Sequence, residues 1–160
     1  MFAVTLICVG KLKEKFYLAA SEEYAKRLRG YVDFTLIELP ETRLPDDPSP
    51  PQIAQGLAKE AELIRARIPK GAWFCVLTPE GTQLSSEELA AALASVKGSG
   101  RSAACFLIGS SFGMDPSLKQ LADRKLSMSK MTFPHHLARV MVLEQLYRAE
   151  SIQAGTKYHK

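Results

Sequence analysis

Two stretches of this chain, "AWFCVLTPEG" (residues 72–81) and "SAACFLIGSSFG" (102–113), hold apolar runs that end in glycine-containing loops. A strand with one face in water alternates apolar and polar residues, whereas a strand covered on both faces does not. Such runs suit a parallel sheet with helices above and below, so crossover helices are required. "FAVTLICVG" (2–10) and "FTLIEL" (34–39) read as two further strands and "RKLSMS" (124–129) as a weaker one.

The connecting helices are legible. "KEKFYLAASEEYAKRLRG" places Phe16, Ala20, Tyr24 and Leu28 at helical spacing and stops at Gly30. Residues 53–68 continue in the same manner, with Glu60, Glu62, Arg65 and Arg67 expected on the wet side. "SSEELAAALASVK" opens with Ser85 and Glu88 in capping-box spacing, and "DPSLKQLAD" offers Asp115 as N-cap with Pro116 behind it. From about Pro134 a longer helix carries Leu137, Val140, Met141, Leu143, Leu146 and Tyr147. That apolar set is wider than one core-facing stripe, and a second neighbour, hence a homodimer, is expected. The Pro-rich segment "PETRLPDDPSPPQ" is neither helix nor strand and reads as a plain connector or a flap.

Strands alternating with helices give an α/β fold, and 160 residues suit one domain over 1–160. A formal charge of +4 favours a polyanionic partner, although the same excess suits a solvated surface. No basic segment precedes the apolar opening, and no run approaches the roughly 20 residues of a membrane span, so a cytoplasmic protein is expected. Cys8, Cys75 and Cys105 lie far apart inside apolar segments, without metal-ligand spacing, and read as buried reduced thiols.

Ligands of open α/β sheets bind beyond the carboxyl ends of the strands, which here carry residues 77–81, 109–113 and 127–133. "IGSSFG" is neither a dinucleotide fingerprint nor a phosphate loop and reads equally as an ordinary strand-to-helix turn. Gly-x-Ser-x-Gly is absent, and no carboxylate is evidently placed to orient His135 or His136, which argues against a hydrolase. Both histidines open a helix, where the dipole disfavours protonation. Glu144 and Arg148, four apart, are expected to pair.

"CVGKLKEKF", "FLIGSSFGMD", "LSMSKMTFPHHLARVMVLEQLYRA" and "GTKYHK" resemble, in the same order, the RlmH family of ribosomal RNA large-subunit methyltransferases, of the SPOUT class. The resemblance implies an α/β-knot fold: a mostly parallel sheet flanked by helices, with a deep C-terminal trefoil. It implies S-adenosylmethionine bound by Leu77, Gly109, Met128, Ser129, Lys130, Met131, Thr132 and Phe133, and dimers packed through the last helix. It also implies methylation of N3 of a pseudouridine in large-subunit rRNA on assembled ribosomes, without a metal. His135, Arg139, Tyr158 and His159 are the candidate catalytic residues, with Lys160 toward phosphate. Where the family carries Gly-Gly this chain has Gly109-Ser110, a source of strain if the second position needs positive φ. His136 and Glu150 also depart from the pattern, at places read as helix surface. Another RNA target, or a ribosome-binding factor with a decayed cofactor site, are the alternative readings.

Overall fold

A computed structural model describes all residues, 1–160. Its elements are β1 (Ala3–Val9), α1 (Lys15–Leu28), β2 (Asp33–Leu39), α2 (Pro50–Arg65), β3 (Trp73–Gln83), α3 (Ser86–Gly98), β4 (Ala103–Ile108), α4 (Pro116–Leu121), β5 (Arg124–Ser127) and α5 (His135–Gln153). The five strands form one sheet in the order β2-β1-β4-β3-β5, and every pairing between them is parallel.

Two apolar clusters lie on the two faces. Val4, Leu6, Cys8, Ala104, Phe106 and Ile108 face α1, α3 and α5 through Leu28, Leu93 and Leu143. Ile7, Val9, Phe74, Val76, Cys105 and Leu107 face α2 and α4 through Ile64 and Leu118. Alternate residues of one strand therefore serve opposite cores, which is why the runs lack polar positions. All three thiols are buried, and burial pushes each up to about 12.

β3 grips β5 twice: Leu77 and Thr82 both stand opposite Leu126, with the register broken between them. Gly81 lies directly on the β5 backbone, since a Cβ there would come within 2.7 Å of Leu126 N and C. A side chain would prise β5 away. Beyond β5 the chain returns across the sheet, and α5 packs against α1 and α3.

Four local expectations are revised. The Pro-rich segment surrenders its end to α2: Ser49 caps the helix and forms a capping box with Gln52, and Pro50 and Pro51 fill positions that need no N–H partner. Glu60 is buried rather than wet, because its carboxylate accepts the Thr42 N–H at 2.8 Å while Thr42 Oγ1 donates to Gly56 O. Together they strap residues 42–44 to α2, where Leu44 closes over Gly56. Glu150 is also buried, held by Lys97 Nζ at 2.6 Å. On α1, Phe16 is exposed, and Ser21 and Ala25 join Leu28 on the inner side.

Replacing Glu60 with Ala orphans the Thr42 amide, and the variant is expected to lose about 1–3 kcal/mol in urea unfolding. An unchanged midpoint would mean that the strap contributes nothing to the fold.

Candidate functional site

Three loops leave the carboxyl ends of β3, β4 and β5 and enclose an open pocket of about 920 Å³. All eight residues singled out for a cofactor line it: Leu77, Gly109, Met128, Ser129, Lys130, Met131, Thr132 and Phe133. Parallel strands point their carboxyl ends the same way, so loops separated by fifty residues meet there.

The β4 loop is the tightest part. Ser110 N donates to Gly113 O at 3.0 Å and Gly113 N to Ser110 O at 2.9 Å. A Cβ on Gly109 would sit 2.3 Å from Gly113 O, so this glycine is demanded by a backbone crossing at contact distance. Ser110 carries no such demand. No non-glycine residue has positive φ, and its Oγ adds a hydrogen bond to Gly113 O at 3.3 Å. The departure from Gly-Gly is therefore free of the expected strain; the left-handed position falls at Gly113, φ 93°.

The β5–α5 loop keeps its backbone free. None of the backbone–backbone hydrogen bonds outside helices and strands involves residues 128–133. Only two of its main-chain groups are tied down, the Ser129 carbonyl accepting from Ser127 Oγ and the Met131 N–H donating to Ser129 Oγ. Main-chain donors and acceptors thus remain available along the wall of a pocket that mixes apolar and polar side chains. Across the mouth, Lys119 Nζ and Thr78 Oγ1 bind Glu80 at 2.5 Å each and hold its carboxyl down at about 2.

The four candidate catalytic residues separate. His135 lines the pocket and stacks edge-on to His136, ring centroids 4.2 Å apart. Burial, then the neighbouring His136, lower its pKa, while Glu41 opposes them. Arg139 does not line the pocket. It is 1% exposed, bound to the Glu38 carboxylate and to Gly10 O, with Nε unpartnered. Tyr158 and His159 lie along α5: Tyr158 donates to Glu144 at 3.0 Å and packs on Tyr147, and His159 meets Glu87 and Arg148. Glu144 and Arg148 pair as expected, partly buried.

Carboxylates do stand beside both histidines, contrary to expectation. Glu14, at the N-cap of α1, lies 3.7 Å from His136 Nδ1. Glu41, just past β2, accepts from Ser111 Oγ at 2.8 Å and faces His135. Its signal in the sequence was its position, since it follows the carboxyl end of a strand.

Comparison with known proteins decides the family. A model described as "Predicted SPOUT methyltransferase" matches residues 2–159. The chain belongs to the SPOUT methyltransferases. Curated relatives include "Ribosomal RNA large subunit methyltransferase H" of Moorella thermoacetica, 44% identical over 160 residues and 100% of both chains. The protein of that name from Bifidobacterium adolescentis is 45% identical over 98% of this chain and 99% of its own. Among solved structures, a probable methyltransferase from Bordetella pertussis superposes with a TM-score of 0.55 at 15% identity, covering 92% of this chain and 93% of its own. That likeness speaks for the fold.

Two outcomes test the site. Gly109→Ala is expected to destabilise the protein by about 1–3 kcal/mol, because the β4 loop must open, whereas Ser110→Gly costs less than about 1 kcal/mol. His135 should titrate by NMR below its ordinary 6.5. The unfolded chain then takes up that proton first, so this group withdraws stability as pH falls from 6.5 through the lowered folded value. Glu41→Gln should depress the midpoint further; a rise would show that Glu41 does not act on the ring.

Proposed function

We propose that this chain is an S-adenosylmethionine-dependent methyltransferase of large-subunit ribosomal RNA, working as a cytoplasmic homodimer with residues 1–160 as one unit. What supports this most is full-length identity of 44% and 45% to relatives named ribosomal RNA large subunit methyltransferase H. No helix is long and apolar enough to cross a membrane. In our reading β5 and α5 thread through the β3 loop as a trefoil knot, an exception to the general rule against knots; the double pairing of β3 around Leu126 agrees with it.

The pocket suits the proposed donor. Leu77, Ile108, Met128 and Phe133 offer apolar surface for a purine. Apart from the Ser129 carbonyl and the Met131 N–H, the main chain of residues 128–133 is free to offer hydrogen bonds to its polar edges and to an amino-acid end. Bound there, S-adenosylmethionine supplies a methyl group on a sulfonium, so the protein has mainly to align an acceptor and help a proton leave.

The acceptor we propose is N3 of a pseudouridine on the assembled ribosome. As the new bond to N3 forms, the N3 proton must depart, and His135, kept neutral at the pocket wall, can accept it. Arg139 acts at one remove, fixing the backbone at Gly10 beside His135. Tyr158, His159 and Lys160 belong to the RNA side. With subunits packed through α5, the tail of one meets the pocket of the other. A chain this small leans on the shape of a large assembly for recognition.

The reading of a ribosome-binding factor with a decayed cofactor site loses its one support, because Ser110 is unstrained. Mass spectrometry of rRNA nucleosides is expected to show the methylated base lost on deletion of this chain, and full retention would overturn the proposal. Methyl transfer should be faster on ribosomes than on naked rRNA. Substituting Tyr158 or His159 should slow turnover by about 10²-fold while leaving S-adenosylmethionine affinity nearly intact.

A further inference from the structure

The segment joining β1 to α1 carries exposed side chains that the methyl-transfer chemistry does not use. Gly10 turns the chain at φ 104°, and its carbonyl is held by Arg139. Leu12 is buried, and its N–H donates to Glu38. Because Leu12 points inward, Lys11 and Lys13 on either side of it stand exposed, followed by exposed Lys15. None of the three lysines makes an ion pair. The nearby acids are engaged elsewhere: Glu38 with Arg139, Glu41 with Ser111, and Glu14 turned toward His136.

Beside the lysines runs a series of rings. Phe16, 67% exposed, lies 4.4 Å from Tyr17; Tyr17 stands edge-on to His136 at 6.3 Å; His136 stands edge-on to His135 at 4.2 Å. The series starts in solvent and ends at the pocket wall. A large exposed ring gains nothing from water, and three unpaired cations around it mark a surface built for a polyanion with flat faces.

We propose that the β1–α1 segment is an RNA-docking surface, on which Phe16 and Tyr17 stack an unpaired base flanking the target nucleotide and Lys11, Lys13 and Lys15 meet its phosphates. The proposal rests on the rRNA reading above and specifies where that substrate is gripped. Stacking accepts any base, so this surface contributes affinity and register, while the pocket selects the atom methylated. The segment is pinned at Gly10, Leu12 and α1, so little ordering opposes binding.

The test compares Phe16→Ala and the double variant Lys11→Ala/Lys13→Ala with the wild type on large ribosomal subunits and ribosomes. Arg67→Ala/Lys70→Ala, which removes the same charge at the opposite end of the strands, is the control. S-adenosylmethionine affinity and thermal midpoint are expected to stay at wild-type values, since the substituted side chains are exposed. The expected result is a KM for the ribosomal substrate raised by about tenfold at unchanged kcat in both segment variants but not in the control. In the lysine variant the slope of log affinity against log salt should flatten by about 1.5. Wild-type KM and slope in both variants, with the wild type active, would overturn the docking surface and leave the methyltransferase reading intact. An equal loss in the control would overturn it as well, by reducing the effect to net charge. A wild type that transfers no methyl group to rRNA removes both proposals.

Discussion

The buried guanidinium of Arg139 is the tie on which the arrangement at the strand ends depends. It comes from α5, the last helix, yet its partners are the Gly10 carbonyl at the end of β1 and the Glu38 carboxylate in β2. One side chain thereby joins residues more than a hundred positions apart. It presses His135 and His136 against the Gly10 turn, where a Cβ would meet both imidazoles and Glu41 within 4 Å. A buried ion pair contributes little net stability, because desolvation offsets most of the attraction, but removing one partner leaves an uncompensated charge. The pair's value is therefore positional. It sets where α5 begins relative to the sheet, and so where the β5–α5 loop must turn.

That loop and the β4 loop solve one problem in opposite ways. Around Gly109 the backbone is locked by two mutual hydrogen bonds and by contact closer than any side chain tolerates. Over residues 128–133 the backbone bonds almost nothing of its own, which would be costly in a core and is useful at a pocket wall. A rigid floor beneath an unsatisfied rim gives a ligand both a fixed shape and free hydrogen-bonding groups. The Glu80–Lys119 pair at the mouth and the Glu41–Ser111 contact join neighbouring elements to this frame.

Much of the fold was legible in the chain, because burial on two faces forces apolar runs and helix ends advertise themselves through Ser85, Glu88, Asp115 and Pro116. The pocket-lining set was legible too, through motifs resembling those of a known family, and its eight residues converge. What misled were charges. Glu60 and Glu150 looked like solvated helix surface, since a charged residue on a helix usually is, but Thr42 and Lys97 arrive from distant elements to satisfy them. Arg139 was placed on the substrate side through the family resemblance, which carries no record of the Glu38 carboxylate and Gly10 carbonyl that bury it. Gly109 and Gly113 did read as the glycines of a tight turn, and the backbone needs its freedom at 113 and its lack of a Cβ at 109; only the strain expected at Ser110 is absent.

The sequence by itself determined the α/β class, the order of strands and helices along the chain, the inert thiols and the loops that leave the carboxyl ends of the strands, because each follows from local periodicity, capping or apolar run length. Only the tertiary structure decided the strand order in the sheet, the double grip of β3 on β5, the burial of Arg139, and the placing of Glu14 and Glu41 beside the histidines. Those are pairings between residues far apart in the chain. A local pattern records how much of a residue is to be buried, and it carries no record of which distant group will meet it there.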